Sequence, residues 1–230
     1  MKKAIRIIGI ILVTVVLFAT IIISMMPKAS EPEDIWDDAT TMGNTNAKNH
    51  YIIYSDLACP YCIIFENALL SHEEEYQEYI NRNNILIEVR ISDFLYEYGA
   101  HPSPASRLGA IATYCAKNEG KFWDYYNLAI KTIANDYDHY GIGSTNPTAG
   151  STTDEYWLKL GKQVGLGEDF ESCYKNKTPL SEIIATARKT LDLVDGMPFF
   201  KFNNYTFSGF SPNGTWEDAK MHLDAGLKKK

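Results

Sequence analysis

The chain has 230 residues, of which 45% are apolar and 22% charged, and its formal net charge is −7. These globular values exclude a wholly disordered chain, and 15 Gly and 9 Pro without a period exclude a collagen-like repeat. The acidic balance argues against a nucleic-acid-binding protein, and four cysteines are too few for a small disulfide-rich scaffold of this length.

Residues 1–27 predict a basic cytoplasmic tip followed by a transmembrane signal anchor. Lys2, Lys3 and Arg6 precede an uncharged, mostly apolar run over residues 7–26, which is about the length that crosses a bilayer as a helix. The alternative is a cleaved signal peptide, whose apolar region is usually about 7–15 residues long and ends at a small-residue site that residues 24–30 do not offer. The basic residues place the N-terminus in the cytoplasm. We therefore expect a single-pass cell-membrane protein with most of its chain on the extracytoplasmic side.

Residues 28–49 predict a linker between this anchor and the ordered domain. The segment is rich in Glu, Asp, Thr, Asn and Gly and shows no strand or helix period, with a single tryptophan at Trp36. Residues 1–30 carry four basic and no acidic residues, so the rest of the chain has 18 basic and 29 acidic residues. Such an acidic domain would not adhere to anionic lipid, and attachment would rest on the anchor.

The ordered domain is predicted to begin at residue 50. Tyr51–Tyr54 is a β-prone apolar run typical of a buried strand, and it is followed by the motif Cys59-Pro60-Tyr61-Cys62. The apolar spacing after Cys62 is helical, with Glu66 assigned to the solvent side, and Ile85–Ile91 predicts the next strand. A Cys-x-x-Cys motif therefore stands where a strand ends and a helix begins.

The rest of the chain predicts several helices, a hairpin and a closing helix. Capping and proline signals begin helices near Ser103-Pro104, Thr152 and Pro179, and helical spacing begins at Phe122. The remaining predicted elements are a glycine-interrupted loop over residues 137–151, a hairpin over residues 199–209 and a helix over residues 216–227.

The position of the motif indicates thiol chemistry. Free N–H groups and the dipole at a helix N-terminus lower a cysteine pKa from about 8.5 to about 3.5–7.5, and Cys59 would occupy that place. Cys62, one turn later, would lie behind it and resolve a mixed disulfide. A structural disulfide and half of a zinc site are the alternatives. Zinc needs about four ligands, which Cys115, Cys173 and the histidines do not supply at metal-binding spacing, so we expect no metal or cofactor.

Five segments resemble DsbA-like thiol-disulfide oxidoreductases of the thioredoxin superfamily. Ser55–Cys62 is similar to their active-site segment, and the others follow in family order: Cys115–Trp123, Val164–Tyr174, Asp195–Phe200 and Phe207–Phe210. The resemblance implies an α/β thioredoxin-like domain over residues 50–230, with an inserted helical subdomain at about 101–194. Glutaredoxins share Cys-Pro-Tyr-Cys but are compact proteins without such an insertion.

The resemblance also implies an activity and its residues. Cys59 and Cys62 would be the catalytic pair of an oxidase that introduces disulfides into unfolded or reduced exported proteins. Pro198 would be a cis-proline facing them, and Met197, Pro60 and Tyr61 would contact substrate. A DsbB-like or VKOR-like membrane protein would reoxidise the pair, and a monomer is expected. A disulfide reductase or isomerase and a non-catalytic thioredoxin-like holdase remain alternatives.

The sequence departs from DsbA at two positions. Tyr61 replaces a histidine whose positive charge can stabilise the thiolate, which predicts a weaker oxidant, and Ile53 stands where DsbA has a buried glutamate. Asp56 matches an acidic position of many relatives, and it either relays protons or caps the helix. The relatives also imply a second, structural disulfide between Cys115 and Cys173, the alternative being two buried free thiols.

Overall fold

The computed structural model describes residues 35–99, 103–146, 150–194 and 196–229. Its strands are β1 (Thr41–Gly43), β2 (Asn49–Ser55), β3 (Ile85–Ile91), β4 (Phe199–Phe202) and β5 (Tyr205–Ser208). Within these described ranges the strands form one sheet in the order β1–β3–β2–β4–β5. β2 and β3 run parallel, and the other neighbouring strands pair antiparallel.

Helices connect the two parallel strands and fill the space between β3 and β4. Parallel strands need a crossover connection, which α1 (Pro60–Leu70) and α2 (Glu73–Asn83) supply. Between β3 and β4 lie α3 (Phe94–Glu97), α4 (Pro104–Asn118), α5 (Phe122–Tyr140), α6 (Asp154–Gln163), α7 (Glu168–Asn176) and α8 (Leu180–Leu191). The chain ends with α9 (Trp216–Lys228) after the β4–β5 hairpin. This order confirms the predicted thioredoxin-like α/β fold with a helical insertion.

The central strands separate two apolar clusters because their side chains alternate between the faces of the sheet. Every residue of β2 and β3 is buried. Tyr51 and Ile53 belong to the main core with α1, α5 and α9, whereas Ile52 and Tyr54 form a smaller cluster with Val194 on the opposite face. The end of β2, from which the cysteine loop follows, is therefore held between two packed layers.

The predicted linker boundary at residue 50 is wrong, because the chain joins the fold before β2. Thr41–Gly43 pairs with β3, and the Trp36 backbone N–H donates to Glu88 Oε1 at 2.8 Å. Glu88 and Arg90 form a bidentate ion pair in the interior, and the Arg90 guanidinium lies 3.9 Å from the centre of the Trp36 ring. Trp36 thus supplies a hydrogen bond and an aromatic contact to the buried Glu88–Arg90 pair. No local sequence period could indicate these long-range contacts.

A disulfide joins Cys115 in α4 to Cys173 in α7, with 5.8 Å between their Cα atoms. Cys115 is fully buried and Cys173 is partly buried against the main core. The bond closes a loop within the helical insertion and leaves Cys59 and Cys62 as free thiols.

The predicted membrane anchor at residues 1–27 lies outside the described residues. Among the residues that the structure does describe, no helix is long and apolar enough to cross a membrane.

Candidate functional site

The loop between β2 and α1 places Cys59 at the start of a helix. β2 ends at Ser55, and α1 begins at Pro60, so Cys59 is the N-cap residue with the extended backbone angles φ −84° and ψ 112°. Pro60 suits the first helical position because that position needs no backbone donor. The free N–H groups of the first turn and the helix dipole therefore surround the Cys59 sulfur with partial positive charge.

The two cysteines occupy different environments. Cys62 is fully buried, Cys59 retains 4% exposure, and Tyr61 between them is 43% exposed. Burial raises the pKa of the Cys62 thiol well above its ordinary value, and the hydrogen bond to Cys59 raises it further. Cys62 therefore favours the protonated thiol, and Cys59 is the less deeply buried of the two cysteines.

A cis-proline lies beside the cysteine loop. The peptide bond between Met197 and Pro198 is cis, and β4 begins at the next residue, Phe199. Phe199 pairs with Tyr54, so the register brings Pro198 next to the end of β2 and the residues that lead into α1. Pro198 is buried, whereas Met197 is half-buried against the smaller apolar cluster. The fold thus brings the Met197–Pro198 bond next to the cysteine loop that follows β2, although the two segments are far apart in sequence.

Asp56 connects the cysteine loop to α3 and α4. Its carboxylate accepts hydrogen bonds from the N–H of Ala58 and of Leu95, each at 2.8 Å, and from the Ser106 hydroxyl at 2.7 Å. Its backbone carbonyl accepts from the Cys59 N–H at 2.9 Å. These hydrogen bonds hold the cysteine loop against α3 and α4. Burial, only partly offset by the donors, raises the pKa of Asp56 to about 6.

Replacing Asp56 with asparagine is expected to flatten the fall in stability between about pH 4 and pH 6. The pKa of Asp56 is about 6 in the folded protein against an ordinary value of 3.8, so in this range the folded state keeps a proton that the unfolded chain has lost. The stability that this proton contributes is complete below about pH 4 and is lost as the pH rises through 6, which amounts to about 3 kcal/mol.

Urea unfolding at about pH 4.5 and about pH 7 measures this difference. The matched control is Glu74→Gln on the exposed side of α2, which should keep the wild-type pH dependence. An unchanged pH dependence in Asp56→Asn would contradict the assignment of the raised pKa to Asp56.

The predicted solvent-side position of Glu66 on α1 is wrong, because this residue is only 4% exposed. Its carboxylate accepts from the Ser55 hydroxyl at 2.6 Å and from the Tyr126 hydroxyl. The signal was present in its spacing, because Cys62, Phe65, Glu66 and Leu69 follow the i, i+3, i+4, i+7 pattern of one buried helix face.

Apolar side chains are exposed around the cysteine loop. Ile142 follows α5 and is exposed, and the adjacent Gly143 lies against Pro60, where a side-chain carbon would be 3.5 Å from the proline ring. Tyr61 and Tyr140 are also exposed. In the described part of the chain no group of three or more His, Cys, Asp or Glu side chains could hold a metal ion.

Comparison with known proteins gives a family and a fold. The family model described as Thioredoxin matches residues 37–225. Alpha-DsbA1 from Wolbachia pipientis has a TM-score of 0.59 and 15% identity, covering 89% of this chain and 94% of that chain. The thiol-disulfide exchange protein alpha-DsbA2 from the same organism has a TM-score of 0.54 and 18% identity over 83% of this chain and 86% of its own.

BdbD from Bacillus subtilis has a TM-score of 0.57 and 16% identity, covering 82% of this chain and 92% of that chain. Comparison with curated protein sequences finds no match. At these identities the solved structures establish the shared fold, and the family model establishes membership over most of the chain. The chain therefore belongs to the thioredoxin family, and its fold is that of the DsbA-like thiol-disulfide oxidoreductases.

Proposed function

We propose that the protein is an extracytoplasmic, membrane-anchored dithiol oxidase that introduces disulfides into exported proteins. The observation that carries this proposal is the position of Cys59 at the N-terminus of α1, with buried Cys62 one turn later and the cis Met197–Pro198 bond alongside. This arrangement supplies a sulfur at the helix start, a more deeply buried resolving sulfur and an adjacent backbone edge for a substrate segment. The exchange activity named for alpha-DsbA2 supports the same reaction class.

The reaction begins from the Cys59–Cys62 disulfide. A substrate thiolate attacks Cys59 Sγ, a substrate–Cys59 bond forms, and Cys62 leaves as a thiolate that takes up a proton. A second substrate thiolate then attacks the substrate sulfur of this mixed disulfide and expels the Cys59 thiolate. Two substrate thiols are thereby oxidised to one disulfide, and the enzyme gains two electrons. The partial positive charge of the free N–H groups at the helix start favours departure of the negatively charged Cys59 sulfur.

Unfolded or reduced polypeptides are the proposed substrates. The exposed aromatic and apolar side chains Tyr61, Tyr140 and Ile142 lie on or near the loops around the cysteine pair, where they can contact apolar segments that a folded protein would hide. The half-buried Met197 would present its backbone to the same segment. Asp56, through its contacts with α3 and α4, would hold the loop in register with this surface.

The cellular setting is proposed from the sequence. The predicted N-terminal anchor would hold the domain at the outer side of the cell membrane as a monomer. A DsbB-like or VKOR-like membrane protein would accept the two electrons that the enzyme gains from each substrate.

The reduction potential of the Cys59–Cys62 couple tests the direction of the reaction. Equilibration of residues 28–230 with glutathione buffers is expected to give a value between about −120 and −180 mV, the range of protein oxidants. Tyr61 stands where a histidine could add a positive charge beside Cys59, which predicts a value toward the more negative end. A potential near about −270 mV would contradict the oxidase and favour a reductase or isomerase on the same scaffold.

A further inference from the structure

The short helix α3 carries one of the donors that hold the cysteine loop. It has only four residues and follows closely on the end of β3. The Leu95 N–H in its first turn donates to Asp56 Oδ2 at 2.8 Å. Isolated helices shorter than about 12–15 residues are marginal in water, so α3 needs tertiary contacts to keep its position. The donor on Asp56 therefore depends on whatever fixes α3.

Arg107, in the first turn of α4, fixes α3 at both of its ends. Its Nε and Nη2 atoms both lie 2.7 Å from Oδ2 of Asp93, the N-cap residue of α3. Nη2 also donates to the carboxylate of Glu97, the last residue of α3. The guanidinium carbon lies 3.8 Å from the centre of the Tyr96 ring between them. These contacts use both the fork and the flat face of a guanidinium, which a lysine side chain does not have.

Burial makes the ion pair with Asp93 important for the position of α3. The Asp93 carboxylate is fully buried, and the Arg107 side chain is only 18% exposed. Within the described ranges, Asp93 Oδ1 has no hydrogen-bond partner, so the carboxylate depends on Arg107 for compensation. Exposed ion pairs contribute little, but a buried charge that loses its partner is strongly destabilised. Without Arg107, we expect α3 to leave its place on α4.

Ser106, the neighbour of Arg107 on α4, links α3 and α4 at the Asp56 carboxylate. Its hydroxyl donates to Asp56 Oδ2 at 2.7 Å and accepts from the Tyr96 N–H at 3.3 Å. The Leu95 N–H and the Ser106 hydroxyl therefore converge on the same oxygen of Asp56. Both donors can reach this oxygen only while α3 and α4 keep the relative position that Arg107 fixes.

We propose that Arg107 is a positioning residue for the redox pair and acts on it through Asp56. This inference rests on the proposed function, because it requires thiol–disulfide exchange at Cys59 and Cys62. Asp56 Oδ1 accepts from the Ala58 N–H at 2.8 Å, and the Asp56 carbonyl accepts from the Cys59 N–H at 2.9 Å. A continuous series of contacts thus runs from α4 through α3 to the backbone of Cys59.

The expected consequence is a change in the redox equilibrium of the pair. The loop geometry holds the Cys59 sulfur at the start of α1, where free N–H groups and the helix dipole stabilise negative charge on it. Negative charge on this sulfur occurs in the reduced pair and not in the disulfide. Loosening the loop therefore weakens the reduced form and makes the reduction potential more negative.

The test is equilibration of Arg107→Gln with glutathione buffers at pH 7. The equilibrium constant for reduction of the pair is expected to fall about tenfold, which corresponds to a potential about 30 mV more negative. A tenfold change lies within the effect of a helix N-terminus on a partly buried charge. Arg107→Lys keeps the charge without the fork and should give a smaller shift in the same direction, about threefold.

Arg82→Gln is the matched control, and it should keep the wild-type equilibrium constant. Arg82 is an exposed arginine in the last turn of α2, and its guanidinium carbon lies 5.8 Å from the centre of the Tyr79 ring. The chain passes from α2 into the start of β3, whereas the cysteine loop lies at the end where β2 and β3 finish.

A double-variant cycle separates positioning from a direct effect of the Arg107 charge. In an Asp56→Asn background, Arg107→Gln should change the equilibrium constant less than about twofold, because the residue through which it acts is already altered. A direct electrostatic effect on Cys59 would give the same tenfold change in both backgrounds. That result would overturn the proposal.

The remaining outcomes distinguish this inference from the proposed function. An Arg107→Gln protein that is less stable but keeps the wild-type equilibrium constant would show a purely structural role and overturn the proposal. If Arg107→Gln does not fold, an unchanged equilibrium constant in Arg107→Lys would overturn it. A wild type with the potential of a reductant, together with the expected shift in Arg107→Gln, would contradict the oxidase and leave the role of Arg107 standing.

Discussion

Replacing Cys59 with serine is expected to abolish thiol–disulfide exchange, whereas replacing Cys62 with serine should trap mixed disulfides. Cys59 is the sulfur at the helix N-terminus, so without it no substrate–enzyme bond can form. Without Cys62 the single thiol at Cys59 can still join a substrate sulfur, but no second enzyme sulfur resolves the product. Catalysed oxidation of a reduced, unfolded protein should fall to the uncatalysed rate in both variants.

The trapped species distinguishes the two roles. Cys62→Ser, incubated with an unfolded protein whose cysteines carry a disulfide-forming leaving group, should yield an adduct on non-reducing gels that dithiothreitol releases. Cys59→Ser should yield little adduct, because Cys62 is fully buried. The reverse pattern would mean that Cys62 is the attacking sulfur. Retained binding of unfolded protein by Cys59→Ser, together with no exchange by the wild type, would favour the holdase.

Removing the Cys115–Cys173 disulfide with a double alanine variant is expected to lower the free energy of unfolding by about 4 kcal/mol. The bond spans 58 residues of sequence and restricts the unfolded chain, and the chain-entropy relation for such a loop gives a loss of that size. For a protein of this length the midpoint of thermal unfolding should fall by roughly 10 °C. Urea and thermal unfolding of the oxidised proteins measure both quantities.

The function of the Cys59–Cys62 pair provides the control for this stability effect. The disulfide joins α4 to α7, while the redox pair lies at the start of α1. The double variant should therefore keep the wild-type reduction potential at temperatures where it is folded. A loss below about 1 kcal/mol, with no mass shift of about 2 Da for this pair on reduction, would mean that the two thiols are not bonded in solution.

The strand-turn-helix placement of the cysteine motif could be predicted from local residues. The apolar run at Tyr51–Tyr54 is continuous, Pro60 suits a first helical turn, and the apolar residues after Cys62 recur at helical spacing. Each of these signals depends on neighbours within a few positions of the chain. The helical character of the insertion followed from similar capping and spacing signals, and its end, just before Pro198, from the family resemblance.

Other features depended on contacts between distant parts of the chain. The three-residue strand β1 has no periodicity of its own, and Trp36 joins the fold because Glu88 and Arg90 form a buried pair that it covers. A charged residue is usually exposed, and that general tendency led to the solvent-side assignment of Glu66.

Local residues were enough to predict a cysteine pair at a helix start and the α/β order of the domain. Which carboxyl groups are buried near the pair depends on contacts that form only in the folded chain. Ser55 and Tyr126 come from β2 and α5, and they satisfy Glu66 in the interior. Leu95 and Ser106 reach Asp56 from α3 and α4. The cost of burying a carboxyl group depends on such donors, and donors 11 to 60 residues away have no local signature.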